Sequence, residues 1–585
     1  MFYKIIRTYW FVLIIPLTVG IISLLLRSAV GPFWQHADPS YIYLLNSLNM
    51  VKGIPSAFFD QPGFTIQILG QIVIIILNLG QSTASTIQNV LTNPELYLNV
   101  INLTLLFLIF LSSILLGAYT YRKTNDILAT LLSQLPNLLL MTFKSHTYHH
   151  PVVPLVFSNI NAEPLLLCIT NLFNIFVLKL YFSKTKKEEN FAILSLALIS
   201  GLGISTKLTF IPLLAFPIII SRWKLKPVFL ISVVVSFILW TIPFIPLYHA
   251  LWDWARELST HTGIYGNGSQ GIIDTHEYLG VWALYFKKFW FFIIFILSAI
   301  TFSSFNVFKN QKNRADLFIL AISFTALIQL AVIAKHFDEH YLVVVIDSLG
   351  PLFVLFYLNQ STINKTILKR ITCSFIAIAS LYSAVVTSAY ALDLAEFSKE
   401  VIGFNSMIHA KYPNSIFIGS YLELPLRNSE YALFMGNDSS GGGENAELTQ
   451  LYPKNFTFYA DSRDISGTCT NGLYHFNQSI LADDLLAQFP YTNIIFVNSG
   501  YDFSLSPYIV KPLENGKYSK AYLLLGSTEK SANLFFNTAL QLIQKGDYPQ
   551  AFAFALKSHE LHYQPKEKVE YLLSILYSHL KHDEK

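Results

Sequence analysis

The chain has 585 residues, of which 53% are hydrophobic and only 13% charged, against roughly 25% charged residues in soluble domains. With a mean hydropathy of +0.46, this composition excludes an ordinary soluble globular protein and requires lipid around much of the chain. The 40 basic and 36 acidic residues leave a net charge of +4, and no basic run is dense enough to call for nucleic acid as a partner. Of the three cysteines, Cys168 and Cys373 fall in hydrophobic stretches and Cys469 stands alone in the tail, so no disulfide framework or CxxC metal site is expected.

In chain order, Lys4 and Arg7 precede an apolar run from Trp10 to Leu26 that lacks an A-x-A cleavage site and reads as an uncleaved first span. Apolar stretches then recur, most of them long enough to cross a hydrocarbon core of ~30 Å as a helix. Spans are expected over 9–29, 98–120, 127–143, 164–182, 191–206, 208–221, 227–247, 289–306, 317–334, 341–358 and 371–391, eleven in all. The basic segments Tyr121 to Lys123, Ser183 to Lys187, Arg222 to Lys226, Lys309 to Arg314 and Lys365 to Arg370 then share one side, which the positive-inside rule makes cytoplasmic. The same parity leaves Phe64 to Leu79 short of a full crossing and breaks 191–221 at Lys207. It puts 30–97, 144–163, 248–288, 335–340 and everything after 392 on the outer face of a bacterial inner (plasma) membrane.

After Leu392 the composition becomes mixed and charged, and Ser415 to Gly419 and Asn493 to Val497 read as short buried strands of an α/β domain. Lys545-Gly546-Asp547-Tyr548-Pro549-Gln550-Ala551, with Pro565 beyond, resembles a single tetratricopeptide hairpin, which either docks a protein partner or caps the tail. The expected organisation is a transmembrane domain over 1–392, a periplasmic α/β domain over 393–528 and a helical hairpin over 529–585.

Several polar constellations stand out against this background. Gln35-His36-Ala37-Asp38-Pro39-Ser40-Tyr41 follows the first span and leads into apolar positions Tyr41, Leu44, Leu45, Leu48 and Val51 at helical spacing, an amphipathic helix lying on the membrane. Asp38 there reads as an N-cap with Pro39 at the first helical position, or as a carboxylate placed where a lipid head group meets a soluble acceptor. The loop from Trp252 through Asp253, Arg256 and Glu257 to His261, Tyr265 and Gly271 carries four glycines, which suits a flap over a substrate or a plain connector. His146, His149 and His150 have metal-compatible spacing, but Pro151 and Pro154 argue against a helix presenting them. Asp347, inside the tenth span, is a functional candidate because intramembrane acids are costly, or the partner of a neighbouring lysine.

An acidic residue in the first outer loop, just past the first span and before a surface helix, resembles the GT-C glycosyltransferase superfamily. Phe59-Asp60-Gln61-Pro62-Gly63-Phe64-Thr65, Ala162-Glu163-Pro164, Ser205-Thr206-Lys207 and Ala334-Lys335-His336 with His340-Tyr341-Leu342 look like its bacterial branch, the protein mannosyltransferase and aminoarabinose transferase group. The resemblance covers roughly the first 390 residues, with the weight carried by order and placement. It implies a helical polytopic GT-C-like fold and inverting transfer of a sugar from a polyprenyl-phosphate carrier to a cell-envelope glycan, lipid or protein. Asp38 would be the general base, since an acceptor hydroxyl cannot ionise alone. Glu163 would position the acceptor or share a divalent metal, Mg or Mn, with Asp38; its plainer reading is an acid favoured at a helix N-terminus. Lys335, His336 and His340, with Lys207 and Arg256 behind them, would hold the departing lipid phosphate, or simply snorkel at span ends. Asp60, Tyr41, His261 and Tyr265 would line the substrate loop. Several relatives carry an Asp-Glu pair where this chain has the single Asp38.

Two readings compete. His336-Phe337-Asp338-Glu339-His340 matches H-x-x-E-H, the inverted zinc-hydrolase motif, although here it bridges two hydrophobic spans. A lipid or glycan transporter without enzymatic activity would also be polytopic, but no repeated halves are visible.

Overall fold

The computed structural model describes residues 10–583 except 60–62, 143–157, 264–265, 267, 310–312, 361–364, 422–427, 454–455, 460–471, 476–477, 490, 500–504, 506–507, 527–528 and 562–565. The chain divides into two compact units, the first comprising 1–31, 42–395 and 439–443, the second 32–41, 396–438 and 444–585.

The first unit is helical. Its helices are α1 (Ile14–Val30), α2 (Ser40–Lys52, begun in the second unit), α3 (Phe64–Leu77), α4 (Thr83–Thr92), α5 (Pro94–Thr124), α6 (Ile127–Leu139), α7 (Ala162–Tyr181), α8 (Lys186–Thr206), α9 (Ala215–Ile220), α10 (Lys226–Thr241), α11 (Tyr248–Thr260), α12 (Thr275–Lys288), α13 (Trp290–Phe308), α14 (Arg314–Ile333), α15 (Val343–Asp347), α16 (Leu349–Asn359) and α17 (Lys365–Lys411). Among the described residues nine helical stretches are long and apolar enough to cross a membrane. They account for nine of the eleven expected spans. The other two, at Ile127–Thr142 and Leu208–Ile220, are shorter apolar helices, as is Phe64–Leu77. The chain is thus a multi-pass membrane protein.

Local chemistry sets the helix limits. Thr185 and Glu188 form a reciprocal capping box at the start of α8, Asp126 accepts from the amides of Leu128 and Ala129 to start α6, and Pro94 takes the first position of α5. Where α8 crosses α10, a Cβ on Gly201 would stand 2.6 Å from the Phe237 backbone nitrogen, so only glycine permits that approach.

The side chains that close the bundle follow the expected parity. Arg314 donates to the carbonyls of Ser183 (2.8 Å) and Leu180 (2.7 Å). Arg222 bonds Glu189 (2.8 Å), Asn313 bonds Asn359 (2.9 Å), and Tyr357 donates to Asp126 (3.1 Å). These contacts gather segments at or beside the basic loops, all assigned to one face from charge alone.

Helix α17 runs 47 residues, well past the expected span end at 391. The cause is legible in its buried positions: Leu394, Phe397, Val401, Phe404 and Ile408 recur at intervals of three and four, so the apolar stripe of a helix continues without a stop signal. The division between units falls inside this helix, between Ala395 and Glu396.

The second unit is built on a sheet of β1 (Ile416–Tyr421), β2 (Phe456–Tyr459), β3 (Gly472–His475), β4 (Gln478–Ile480), β5 (Ile494–Ser499), β6 (Ile509–Asn515) and β7 (Ser519–Gly526), in the order β4-β3-β2-β1-β5-β7-β6. The two strands expected from sequence, β1 and β5, are parallel neighbours with Ile416 opposite Ile494 and Gly419 opposite Val497. Their alternation divides two cores. Ile416, Ile418, Ile494 and Phe496 face helices α21 (Glu529–Gln544), α22 (Tyr548–Glu560) and α23 (Lys566–Asp583), while Phe417, Ile495 and Val497 face Phe404 and Ile408 of α17. Helices α18 (Ser429–Ser439), α19 (Asn445–Leu451) and α20 (Ala482–Gln488) fill the connections. Helices α21, α22 and α23 therefore share a core with the sheet rather than standing apart from it, because Phe535, Phe554 and Leu572 need an apolar surface to bury against.

Candidate functional site

In the first unit, the loops expected on the outer face converge on one buried ion cluster. Glu163 lies in the first turn of α7 and is 1% exposed; Lys207, which ends α8 in an extended conformation, is 4% exposed. The Lys207 amine donates to Glu163 Oε1. His340 Nε2 approaches the same oxygen at 3.6 Å, and His340 Nδ1 lies 2.7 Å from Asp338 Oδ1. Burial works to raise the Asp338 pKa, but the charge and hydrogen bonds of His340, with Lys207 beyond, outweigh it and hold the carboxyl below its ordinary value. The Lys207 amine also sits 4.5 Å from the Tyr341 ring centroid, a cation–π contact.

A fourth segment is tied to the same point. Gly63, in a left-handed conformation, donates its amide to the Thr206 carbonyl (3.0 Å), and Thr65 shares a 2.7 Å hydrogen bond with the Thr206 hydroxyl. The residue before Lys207 thus anchors the end of the Phe59 to Thr65 motif.

Lys335 and His336 are placed differently from His340. The Lys335 amine donates to the carbonyls of Leu258 (2.7 Å) and Ser259 (2.8 Å), and His336 Nε2 lies 3.1 Å from the Leu258 carbonyl. Both side chains therefore cover carbonyls in the last turn of α11, where cations suit the helix dipole. Among the described residues no carboxylate pairs with Lys335, so its charge is balanced only by these carbonyl dipoles. Arg256 is exposed on α11. His261 pairs with Gln270, and beside that bridge the Thr262 amide donates to the Ser269 carbonyl (3.0 Å) and the Gly271 amide to that of Thr260 (2.8 Å).

In the second unit, Asp38 is exposed in the turn that precedes α2, and Tyr41 is fully buried, its amide donating to the Ala37 carbonyl (2.8 Å). Helix α2 starts at Ser40, two residues after Asp38, rather than at Pro39. Asp60, Tyr265, His146, His149 and His150 lie outside the described residues.

The H-x-x-E-H residues do not converge on one point. His336 faces a carbonyl of α11 and His340 faces Glu163 and Asp338, while the Glu339 carboxylate lies 3.6 Å from the Lys288 amine. Each histidine sits in its own short 3-10 turn, not on one helix. Lys288, at the end of α12, is a site residue that sequence reasoning missed; burial pulls its pKa down and Glu339 works against that. Nothing in its local sequence signals the contact, which spans 51 positions. Asp338 carried a signal, since an acid two residues before His340 fits a cap of the 3-10 turn, and it does accept from the His340 amide (3.4 Å).

No known family profile matches the chain, and no curated protein sequence matches it. Among solved structures, it is similar to the crystal structure of ArnT from Cupriavidus metallidurans bound to undecaprenyl phosphate. The match covers 87% of this chain and 97% of that one, at 12% sequence identity and a TM-score of 0.45.

Proposed function

We propose that this chain is an inverting membrane glycosyltransferase of the GT-C type, moving a sugar from a polyprenyl-phosphate carrier to a cell-envelope acceptor on the outer face of the plasma membrane. One observation carries the reading. The segments around Gly63, Glu163, Lys207 and His340, which the sequence singles out separately and which are dispersed over most of the membrane unit, meet through hydrogen bonds and ion pairs at one end of it.

In this reading the acceptor hydroxyl attacks the anomeric carbon as the bond from that carbon to the carrier phosphate breaks. Asp38 takes the hydroxyl proton, and the polyprenyl phosphate leaves with the bonding electrons. The leaving oxygens then need cationic donors. Lys207 is committed to Glu163, so the cluster around Glu163 supplies an internally paired wall rather than a free cation. Lys335 and His336, held among the described residues only by carbonyls, are the groups that can turn to a phosphate. Any divalent metal would have to compete with Lys207 and His340 for Glu163 Oε1.

Replacing Lys335 and His336 together by alanine is expected to weaken binding of a polyprenyl-phosphate sugar by on the order of 10- to 100-fold, one or two charge-assisted hydrogen bonds at ~1.5 kcal/mol each. Titration of the purified protein with the labelled carrier checks this, and unchanged affinity rules out the phosphate role. The sidedness has its own test. An alkaline phosphatase fused after Lys585 is expected to be active and one fused within Lys309 to Arg314 inactive; the opposite pattern would place the cluster on the cytoplasmic face and defeat the proposal.

A further inference from the structure

We propose that Asp347 anchors a site for one monovalent cation of sodium size inside the membrane unit, separate from the ion cluster and from sugar transfer. Asp347 ends α15 within the span Glu339–Asn359 and has no exposed surface. No charged side chain among the described residues faces it, and the neighbouring lysine that the sequence allowed for is not there. An ionised carboxylate at this depth without a counter-charge is among the costliest groups a bundle can hold.

Its surroundings are oxygen-rich and incompletely satisfied. Asp347 Oδ1 accepts from Asn137 Nδ2 at 2.7 Å, but Asp347 Oδ2 is buried with no hydrogen-bond partner. Asn174 donates from Nδ2 to the Asp347 carbonyl (2.7 Å), and its own Oδ1 is a second buried acceptor without a partner. That carbonyl is available because Pro351, four residues on, has no N–H to offer it. Across the interface, α6 carries Pro136 in its interior, next to Asn137. Asn137 and Asn171 are linked by paired amide bonds (3.2 and 3.0 Å), and Asn171 reaches the Ser112 hydroxyl (3.2 Å). A Cβ on Gly350 would stand 2.6 Å from the Ser133 carbonyl, so glycine allows the two proline-interrupted helices to touch here.

A carboxylate, a carboxamide oxygen and a main-chain carbonyl released from its helix are ligands of the kind that hard cations take. With a single negative charge, a monovalent ion leaves the site neutral, whereas a divalent ion would strand a positive charge in a low-dielectric interior. A bound cation would pin α6, α7 and the α15–α16 joint together.

The test is thermal unfolding and equilibrium binding of radioactive sodium by the purified full chain, with choline chloride holding ionic strength constant. The wild-type protein is expected to bind about one sodium per chain and to unfold at a temperature that rises with sodium concentration, as linkage requires. Asp347→Asn is expected to abolish both effects, and Asn174→Ala to weaken sodium binding on the order of 10-fold, as loss of a metal-site group does. Should Asp347→Asn fail to fold, wild-type stoichiometry and the Asn174→Ala shift decide the matter alone. No saturable sodium binding by the wild type overturns the proposal, as does a sodium response retained in Asp347→Asn. Wild-type stability indifferent to sodium and matched by Asp347→Asn also overturns it and identifies Asp347 as a neutral carboxylic acid. None of these readouts uses sugar transfer, so they are independent of the proposed activity.

Discussion

Asp38→Asn is expected to lower sugar transfer from a lipid-linked donor by about 10²- to 10⁴-fold, the range that a positioned general base supplies, with membrane insertion and thermal stability unchanged. The side chain keeps its size and its oxygen acceptor but loses the lone pair that takes the acceptor proton. The structure sharpens the contrast with a purely structural role. Asp38 is exposed and precedes the first residue of α2 by two positions, so its replacement alters no residue of the helix itself. If it serves only as a cap, the asparagine variant stays active and Asp38→Ala loses ~1 kcal/mol of stability. If it is the base, both variants are inactive and both are folded. Transfer and unfolding measured on the same preparations separate the two, and a fully active Asp38→Asn variant would falsify the assignment.

What the sequence made legible follows from which forces act locally. Spans declare themselves by length and hydropathy, and the basic loops assign them to sides. That parity placed Glu163, Lys207 and His340 on one face with no knowledge of tertiary contacts, and the Glu163–Lys207 pair and the His340 approach to Glu163 agree with it. Strands β1 and β5 were legible because each is a short apolar run in a polar tail; their pairing, with Ile416 beside Ile494, was not, since a parallel neighbour leaves no local mark.

What the sequence left unread has equally physical causes. The expected span end at 391 marks where hydropathy falls, while the helix itself runs on to Lys411, because a helix ends only where its backbone or its apolar stripe stops. The stripe from Leu394 to Ile408 does not stop. Lys335, His336 and His340 were grouped because they are cationic and close in sequence, yet the extended backbone at Phe337 and Asp338 turns the first two toward α11 and the last toward Glu163. Within six residues, chain direction decides the partner more than charge does. The polar knot around Asp347 was visible only as one acid in a span, because Asn137, Asn171 and Asn174 acquire meaning from helices that sequence does not juxtapose.

Glu163→Gln and Lys207→Met are each expected to cost about 3–5 kcal/mol of folding stability, the penalty for leaving one charge of a buried pair unpartnered. Both side chains are almost entirely enclosed, with relative exposures of 2% and 5%, so solvent cannot take over the lost partner. The Glu163→Gln, Lys207→Met double variant is expected to recover most of that loss, because a neutral pair of similar volume carries no desolvation penalty. His340 tempers the recovery: its Nε2 stands 3.6 Å from Glu163 Oε1 and loses an anionic neighbour in the double variant, while Asp338 at 2.7 Å from Nδ1 remains. A double-mutant cycle of thermal or denaturant unfolding in a single detergent gives the coupling directly. Strict additivity of the two single losses would show that the charges do not sense each other. Transfer activity supplies the second axis: a double variant that is stable yet inactive shows that the pair acts on substrate or on the groups that hold it, whereas one that is stable and active reduces Glu163 and Lys207 to a structural clamp at the end of the bundle.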